Sequence, residues 1–377
     1  MRPFFFALAR VAFIAATIAP AAAQGDPAVY GAAPAVSEVQ ISPDGSSVAM
    51  LRSMDDTMSV VFYDLANPDA KPAGIQVGGG KARDIVWADN DHILVLASQT
   101  GRMQVTTGLE TIEFFRWFSV SKSKMKSVVL FGNEGNLYIS SAGTLISTLP
   151  DDPDFAMFAR YNTQKAGGAS YDLLRGNLKS GDTKLAAAGR SNTYDWLVMP
   201  SGEPLARIDY DSARKESILN LSDNGASAFH EVRTYEDAPG SVGGVSFYGL
   251  TPDGAGLVVA TRNARGLRSL AKVDKTTGEI GETLFSSPEY DIDGAVYDYE
   301  KATATGARYT DDLPRTLHFD PVEQKIQDQL VKALPGAAPM IVSKSADRMK
   351  MIVRAIYTDH PDQYFLFDRA TKALSMI

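Results

Sequence analysis

The sequence predicts an all-β chain arranged as a β-propeller, and three observations carry that reading: short strand-like runs, regular punctuation by turn residues, and a unit that recurs. Past the first two dozen residues, Gly, Pro, Asp and Asn interrupt runs rich in Val, Ile, Leu, Phe and Tyr every 8 to 12 residues or so. The recurring unit can be counted. One copy runs from Val39 to Gly45, then Ser47 to Leu51, then Ser59 to Asp64. A second runs from Val245 through Thr251-Pro252-Asp253-Gly254, then Leu257 to Thr261 and Ser269 to Asp274. A third runs from Met340 to Val342, through Ser345-Ala346-Asp347-Arg348, then Met351 to Ala355 and Tyr364 to Asp368. The turn Asp and the strand-end Asp are 20 residues apart in the first copy and 21 in the other two.

Each part of the unit has a physical reason. In Pro-Asp-Gly, Pro presets φ, Asp bonds the local backbone and Gly accepts a positive φ, so the two flanking strands fold back antiparallel. A third strand ends in Asp, and Lys275-Thr276-Thr277-Gly278 or Arg369-Ala370-Thr371-Lys372 turns the chain into a fourth. Four strands make one propeller blade. Blades cannot bury their faces alone, and at ~40 to 50 residues each the chain accommodates seven, with six as the alternative. Fainter copies lie at Asp84–Leu96, where Asp89-Asn90-Asp91 replaces Pro-Asp-Gly, and at Tyr194–Val198, Pro204–Tyr210 and Ser217–Leu221.

One stretch breaks the pattern. Val322, Ile326, Leu330, Ala333 and Leu334 recur at helical spacing, Asp320 suits the cap, Pro321 the first turn, and Gly336 the stop. A helix laid against one blade is expected there.

Met1 to Ala23 reads as a secretory signal peptide: Arg2, an apolar run from Phe4 to Ile18 interrupted by Arg10, and Ala21-Ala22-Ala23 before a cut at Gln24. The expected division is therefore a leader over 1–23 and a propeller over 24–377. No other run reaches the ~18 apolar residues that span a bilayer. The expected location is a bacterial periplasm or exterior, after leader cleavage and without membrane attachment.

Composition excludes several chemistries. The 377 residues contain no Cys, which removes disulfides, thiolate metal sites and cysteine nucleophiles. A net charge of -8 argues against a general nucleic-acid or anionic-membrane surface. The histidines at 92, 230, 318 and 360 lack zinc-site spacing, and read as loop or blade-edge residues. The acidic runs Asp89–Asp91 and Asp151-Asp152-Pro153-Asp154 do not follow the calcium-loop pattern and read as solvated turns. Gly78-Gly79-Gly80-Lys81 fails as a phosphate loop and reads as an inter-blade turn. Phe114-Phe115-Arg116-Trp117-Phe118 reads as a buried strand rather than a base-stacking surface. No metal and no cofactor is expected, and no binding residue is assigned.

The leader, Ser42-Pro43-Asp44-Gly45, Trp87-Ala88-Asp89-Asn90-Asp91, the Phe319-Asp320-Pro321 helix entry and the closing unit from Ser345 to Asp368 together resemble the propeller half of the prolyl oligopeptidase family of serine peptidases, in its exported acylaminoacyl-peptidase-like branch. The resemblance implies a carboxy-terminal α/β-hydrolase domain carrying a Ser-Asp-His triad. It also implies a propeller that covers the active site and admits oligopeptides. That hydrolase domain is expected to be absent here, since the propeller runs to Ile377. Gly-x-Ser triplets end at Ser47, Ser170, Ser191, Ser227 and Ser246, yet none has the second Gly that a nucleophile elbow needs. The paired glutamates by which dipeptidyl-peptidase relatives hold an amino terminus are missing too; Asp195-Trp196 leads into Leu197-Val198. The expected function is the non-catalytic, substrate-gating portion of such a peptidase, partnered by its hydrolase domain and oligopeptide substrate. The alternative is a stand-alone TolB-like propeller that binds a periplasmic protein.

Overall fold

The computed structural model describes residues 34–377 except 55–56, 78–79, 106–107, 133–141, 163–167, 224–227 and 238–243. The expected leader, 1–23, lies outside the described residues. Residues 35–377 form one unit.

The chain lays down its strands in consecutive antiparallel sets. The first sheet is β1 (Val36–Ile41), β2 (Ser47–Met54), β3 (Thr57–Asp64) and β4 (Ala73–Gln76). The second is β5 (Lys81–Trp87), β6 (His92–Val105), β7 (Gly108–Ser121) and β8 (Lys126–Val129), and the third β9 (Thr144–Ser147), β10 (Phe155–Asn162), β11 (Ser170–Asn177) and β12 (Thr183–Ala187). The fourth is β13 (Thr193–Val198), β14 (Pro204–Asp211), β15 (Glu216–Ser222) and β16 (Phe229–Glu236).

A composite sheet follows. β17 (Ser246–Leu250), β18 (Gly256–Arg262), β19 (Arg268–Asp274) and β20 (Ile280–Phe285) form one antiparallel group; β21 (Ile292–Asp298), β22 (Thr303–Thr310) and β23 (Pro314–His318) form another. A single parallel pairing, Leu250 with Thr303, joins them. The helix α1 (Pro321–Ala333) comes next, and β24 (Ala338–Lys344), β25 (Lys350–Ile356), β26 (Gln363–Asp368) and β27 (Ala373–Met376) make the last sheet. The described sheets thus number six by hydrogen bonding, and the choice between six and seven blades turns on how the composite sheet is divided.

The three repeat turns are the same object chemically. Ser42, Thr251 and Ser345 each donate a side-chain hydroxyl to the turn aspartate, Asp44, Asp253 and Asp347. Each hydroxyl also accepts the amide of the residue that opens the next strand, Ser47, Gly256 and Lys350, at 2.9–3.0 Å. The fourth turn position takes a positive φ, 68° at Gly45, 67° at Gly254 and 58° at Arg348. The left-handed fit is free for glycine and mildly strained for arginine, so the third copy keeps the turn geometry at a small cost. Strand-end Asp274 then accepts the amides of Thr276 and Thr277, and Asp368 that of Thr371, nucleating the turn into the fourth strand.

Sheets stack face to face, and an apolar cluster fills the gap at every step except that from β21–β23 to the last sheet, where the helix intervenes. Leu51, Val60 and Phe62 of the first sheet meet Ile85, Trp87 and Ile93 of the second. Leu94 and Trp117 meet Ala156 and Phe158. Met157 and Leu173 meet Trp196 and Val198, Ile208 and Leu219 meet Leu257 and Val259, and Val258 and Leu270 meet Ile292 and Ala307. The ring closes when Val39, Ile41, Val48 and Met50 pack on Ile352 and Tyr364 of the last sheet. Polar contacts pin that closure: Ala346 donates its amide to the Pro43 carbonyl at 2.7 Å, Ile41 donates to the Ser343 hydroxyl at 3.1 Å, and Lys350 Nζ donates to the Gly45 carbonyl at 2.9 Å. No described strand crosses between the first and last sheets.

The helix is where the sequence places it. Asp320 caps it by accepting the Val322 amide at 2.7 Å, and Ile326 and Leu330 pack with Leu334 onto Ile341, Met351 and Val353 of the last sheet. Asp320→Ala should cost about 1 kcal/mol of stability in chemical denaturation; no measurable change would mean that packing alone sets the helix start. The helix occupies the seam between β21–β23 and the last sheet, and ion pairs line that seam: Lys344 with Glu323 at 2.5 Å, Arg369 with Glu323 at 3.5 Å and Arg348 with Asp298 at 2.7 Å.

Candidate functional site

The first strand of every antiparallel group carries a β-bulge. Pairing jumps from Ser37 to Gln40 in β1, Ala82 to Asp84 in β5, Thr193 to Asp195 in β13, Phe247 to Gly249 in β17, Ile292 to Gly294 in β21 and Ile341 to Ser343 in β24. In β9 the jump falls between Leu145 and Ser147. A bulge adds a residue, bends the strand and re-aims its side chains. Several of these strands touch one another in succession around the ring: β1 meets β5 and β24, and β13 meets β9 and β17. The bulged strands therefore form the inner lining.

That lining gathers acids whose protonation is perturbed. Glu38, held at φ 48° within its bulge, has its pKa raised by burial and by the neighbouring Asp84 carboxylate, with Arg354 opposing. Asp84 is raised by burial. Asp195 is pushed up to about 6 by burial, although its carboxylate accepts the amides of Phe247 at 2.7 Å and Trp196 at 2.9 Å. One Asp195 oxygen thus ties β13 to β17, and the other is held by the amide of the following residue within β13. Tyr248, the extra residue in β17, receives a hydrogen bond from Arg268 at 2.8 Å. The lining is suited to contacting a polar chain or a cation.

The residues singled out from the sequence have separate fates. Ser47 and Ser170 are buried at strand starts, and the Ser47 hydroxyl accepts Lys122 Nζ at 3.0 Å. Ser191 sits in a turn, Ser246 opens β17, and Ser227 lies outside the described residues. His92 bonds Asp89 at 2.8 Å, His230 bonds Asp223 at 2.7 Å, and exposed His360 stacks on Tyr357. His318, expected at a blade edge, does lie on an edge strand, β23, yet it is buried and both ring nitrogens lack partners. None of the four imidazoles stands between a serine hydroxyl and a carboxylate among the described residues.

Asp89 accepts the amides of Asp91 and His92, and Asp91 accepts Ser121 Oγ and the Ser123 amide. Asp152 pairs with Arg175 and Asp154 with Lys179. These acids organise turns and hairpins, and no group of three metal-ligating side chains occurs among the described residues. Gly80 and Lys81 lie where β4 passes to β5, as an inter-blade connection does. In Phe114–Phe118 only Trp117 is fully buried; Phe114, Arg116 and Phe118 instead line a cavity of about 390 Å³. The sequence reading passed over Glu38 and Asp84. The available signal was position, since each stands on the strand just ahead of an acidic turn.

A family model described as the lipoprotein LpqB beta-propeller domain matches residues 9–156. Among solved structures, prolyl oligopeptidase B from Galerina marginata matches 90% of this chain and 50% of its own at 10% identity, with a TM-score of 0.56. A prolyl endopeptidase structure matches 91% and 49% at 11% identity, with a TM-score of 0.52. The chain is a β-propeller. Dipeptidyl peptidase 4 from Porphyromonas gingivalis matches 93% of the chain and 60% of its own at 10% identity, with a TM-score of 0.49. No curated protein matches the sequence. The chain spans about half the length of the prolyl endopeptidase and prolyl oligopeptidase structures it matches, and the likeness is one of fold. No described helix is long and apolar enough to cross a membrane.

Proposed function

We propose that this propeller is the substrate-gating, non-catalytic portion of an exported serine peptidase of the prolyl oligopeptidase type, working with an α/β-hydrolase partner on oligopeptides in the periplasm or outside the cell. The observation that supports it is the extent of the fold match: nine-tenths of this chain lies over half of a prolyl oligopeptidase. The four described imidazoles, none of them linked to a serine, fit a module that leaves bond cleavage to a partner. The inner lining, which carries the carboxyl groups of Glu38, Asp84 and Asp195, fits the passage of a polar chain.

The family match to a lipoprotein propeller favours a second reading, a self-sufficient envelope propeller that holds a partner protein. One experiment separates them. Cross-linking in the intact source cell, read by mass spectrometry, should join this chain to a polypeptide with a Gly-x-Ser-x-Gly elbow. Cross-links only to an envelope protein of another class support the second reading. In parallel, purified chain should leave chromogenic prolyl and acylaminoacyl peptides intact, and turnover by the chain itself would overturn both.

A further inference from the structure

β6 and β7 are each 14 residues long and pair along their whole length, far beyond the neighbours that cover their roots. β5 pairs with β6 only as far as Lys81 opposite Ser98. From Gln99 to Met103, β6 has no described strand beside it on that side. An unpaired strand edge is a template for another chain. The cavity of about 390 Å³ opens along this edge, walled by Phe114 and Phe118 and floored by Gly101, on which the Phe114 ring lies so closely that a Cβ would stand 2.7 Å from it.

Charge decides what fits. Glu113, on the other face of the ribbon, is already satisfied: Ser98 and Thr100 donate hydroxyls to it at 2.6 Å and Arg83 adds a bond at 3.2 Å, which hold its carboxyl down at about 2. Arg116 is different. It lines the cavity, donates only to the Phe115 carbonyl at 2.8 Å, and faces no carboxylate at ion-pair distance among the described residues. A guanidinium with free donors beside aromatic walls is suited to a carboxylate.

We infer that this groove binds the carboxy-terminal segment of an extended apolar peptide, added as a strand to β6 with its terminal carboxylate on Arg116. The terminus is specified by the way the edge ends. Gly80 lies flush on β6, where a Cβ would meet the Ser98 carbonyl at 2.4 Å, so an added strand stops there and cannot run through. Arg116 stands opposite Ala97, at that same stopping point. A strand whose carboxylate ends at the root runs antiparallel to β6, as every strand beside β6 already does. Main-chain pairing would give affinity, the aromatic walls a preference for an apolar last residue, and Arg116 the requirement for a free carboxylate. The inference is independent of which reading of the overall function holds, because its readout is binding and not turnover.

The test uses the purified chain, a pentapeptide Ac-Thr-Val-Thr-Val-Phe with a free carboxylate, and its carboxy-terminal amide, titrated calorimetrically. The acid should bind at least about ten times more tightly than the amide. Arg116→Gln should bring the two within about twofold, Arg116→Lys should keep part of the difference, and Phe114→Ala should weaken both without changing their ratio. Circular dichroism and thermal midpoints identify a variant that fails to fold, and the acid-to-amide ratio of the parent chain stands apart from any variant. Equal binding of acid and amide, retention of the difference in Arg116→Gln, or no binding of either peptide up to about 1 mM would each overturn the inference.

Discussion

Replacing Phe158 by alanine should lower stability by about 3–5 kcal/mol, the largest loss expected from any single truncation in this propeller. Phe158 is on β10, 0% exposed, in the cluster that joins the second and third sheets. Its ring meets Trp117 at 5.8 Å and stands edge-on to Phe131 at 5.1 Å. Behind it lies Gly176, where an added Cβ would touch the ring at 3.5 Å. Gly176 offers no side chain to move in from that side, and a cavity that collapses only in part costs more than the lost transfer energy alone. Two-state urea unfolding measures the change, and a loss below about 1 kcal/mol would show that the two sheets slide together to close the hole. In a ring of stacked sheets each interface is shared by two neighbours only, so the damage should reach the second and third sheets first, which hydrogen exchange resolves.

His318 should make the protein progressively less stable as pH falls from about 6.5 to about 4. Its side chain is 4% exposed, and burial, with help from nearby Lys344 and Arg308, pushes its pKa down to about 4. Glu323 from α1 and Asp320 from the helix cap oppose that shift without reversing it. In the unfolded chain the imidazole protonates near 6.5, while in the folded chain it stays neutral until about 4. Between those values the unfolded state binds the extra proton and is favoured, a loss of about 3 kcal/mol across the window. His318→Leu should flatten that part of the stability curve and leave stability near pH 8 comparatively unchanged. Asp195 acts with the opposite sign: its carboxyl, raised to about 6, contributes stability at low pH that is lost as pH rises through 6. The difference between parent and variant, rather than the parent curve alone, is therefore the measurement. An unchanged acid slope in His318→Leu would mean that the ring reaches water or a partner in solution.

The same residue shows the limit of what a sequence makes legible. His318 sits in a strand of ordinary composition, and only the packing of β23 between β22 and the helix buries it. Arg308 lies directly opposite Thr316 in the same pair of strands, and Arg308 Nε and Thr316 Oγ1 are also buried without partners. Residue type and spacing carry no trace of that. The acidic runs show the reverse case. Asp89, Asp91 and Asp154 were readable as turn residues because their partners are a few positions away or across one hairpin, and local geometry decided them.

The sequence by itself determined the elements whose causes are local: the Ser-Pro-Asp-Gly and Thr-Pro-Asp-Gly turns, their Ser345–Arg348 variant, the strands they connect, and a helix entered through Asp320-Pro321. Each follows from hydrogen bonds and dihedral preferences within about six residues of the chain. Tertiary structure decided the bulges that turn Glu38, Asp84 and Tyr248 toward the lining, the polar seam at the helix, and the unanswered guanidinium of Arg116 above an open strand edge. Those depend on which sheet faces which and where a neighbouring strand stops. A repeat of period near forty leaves both unspecified, because every copy offers the same two faces and the contacts that distinguish them lie up to some three hundred positions apart, as between Ile41 and Ser343.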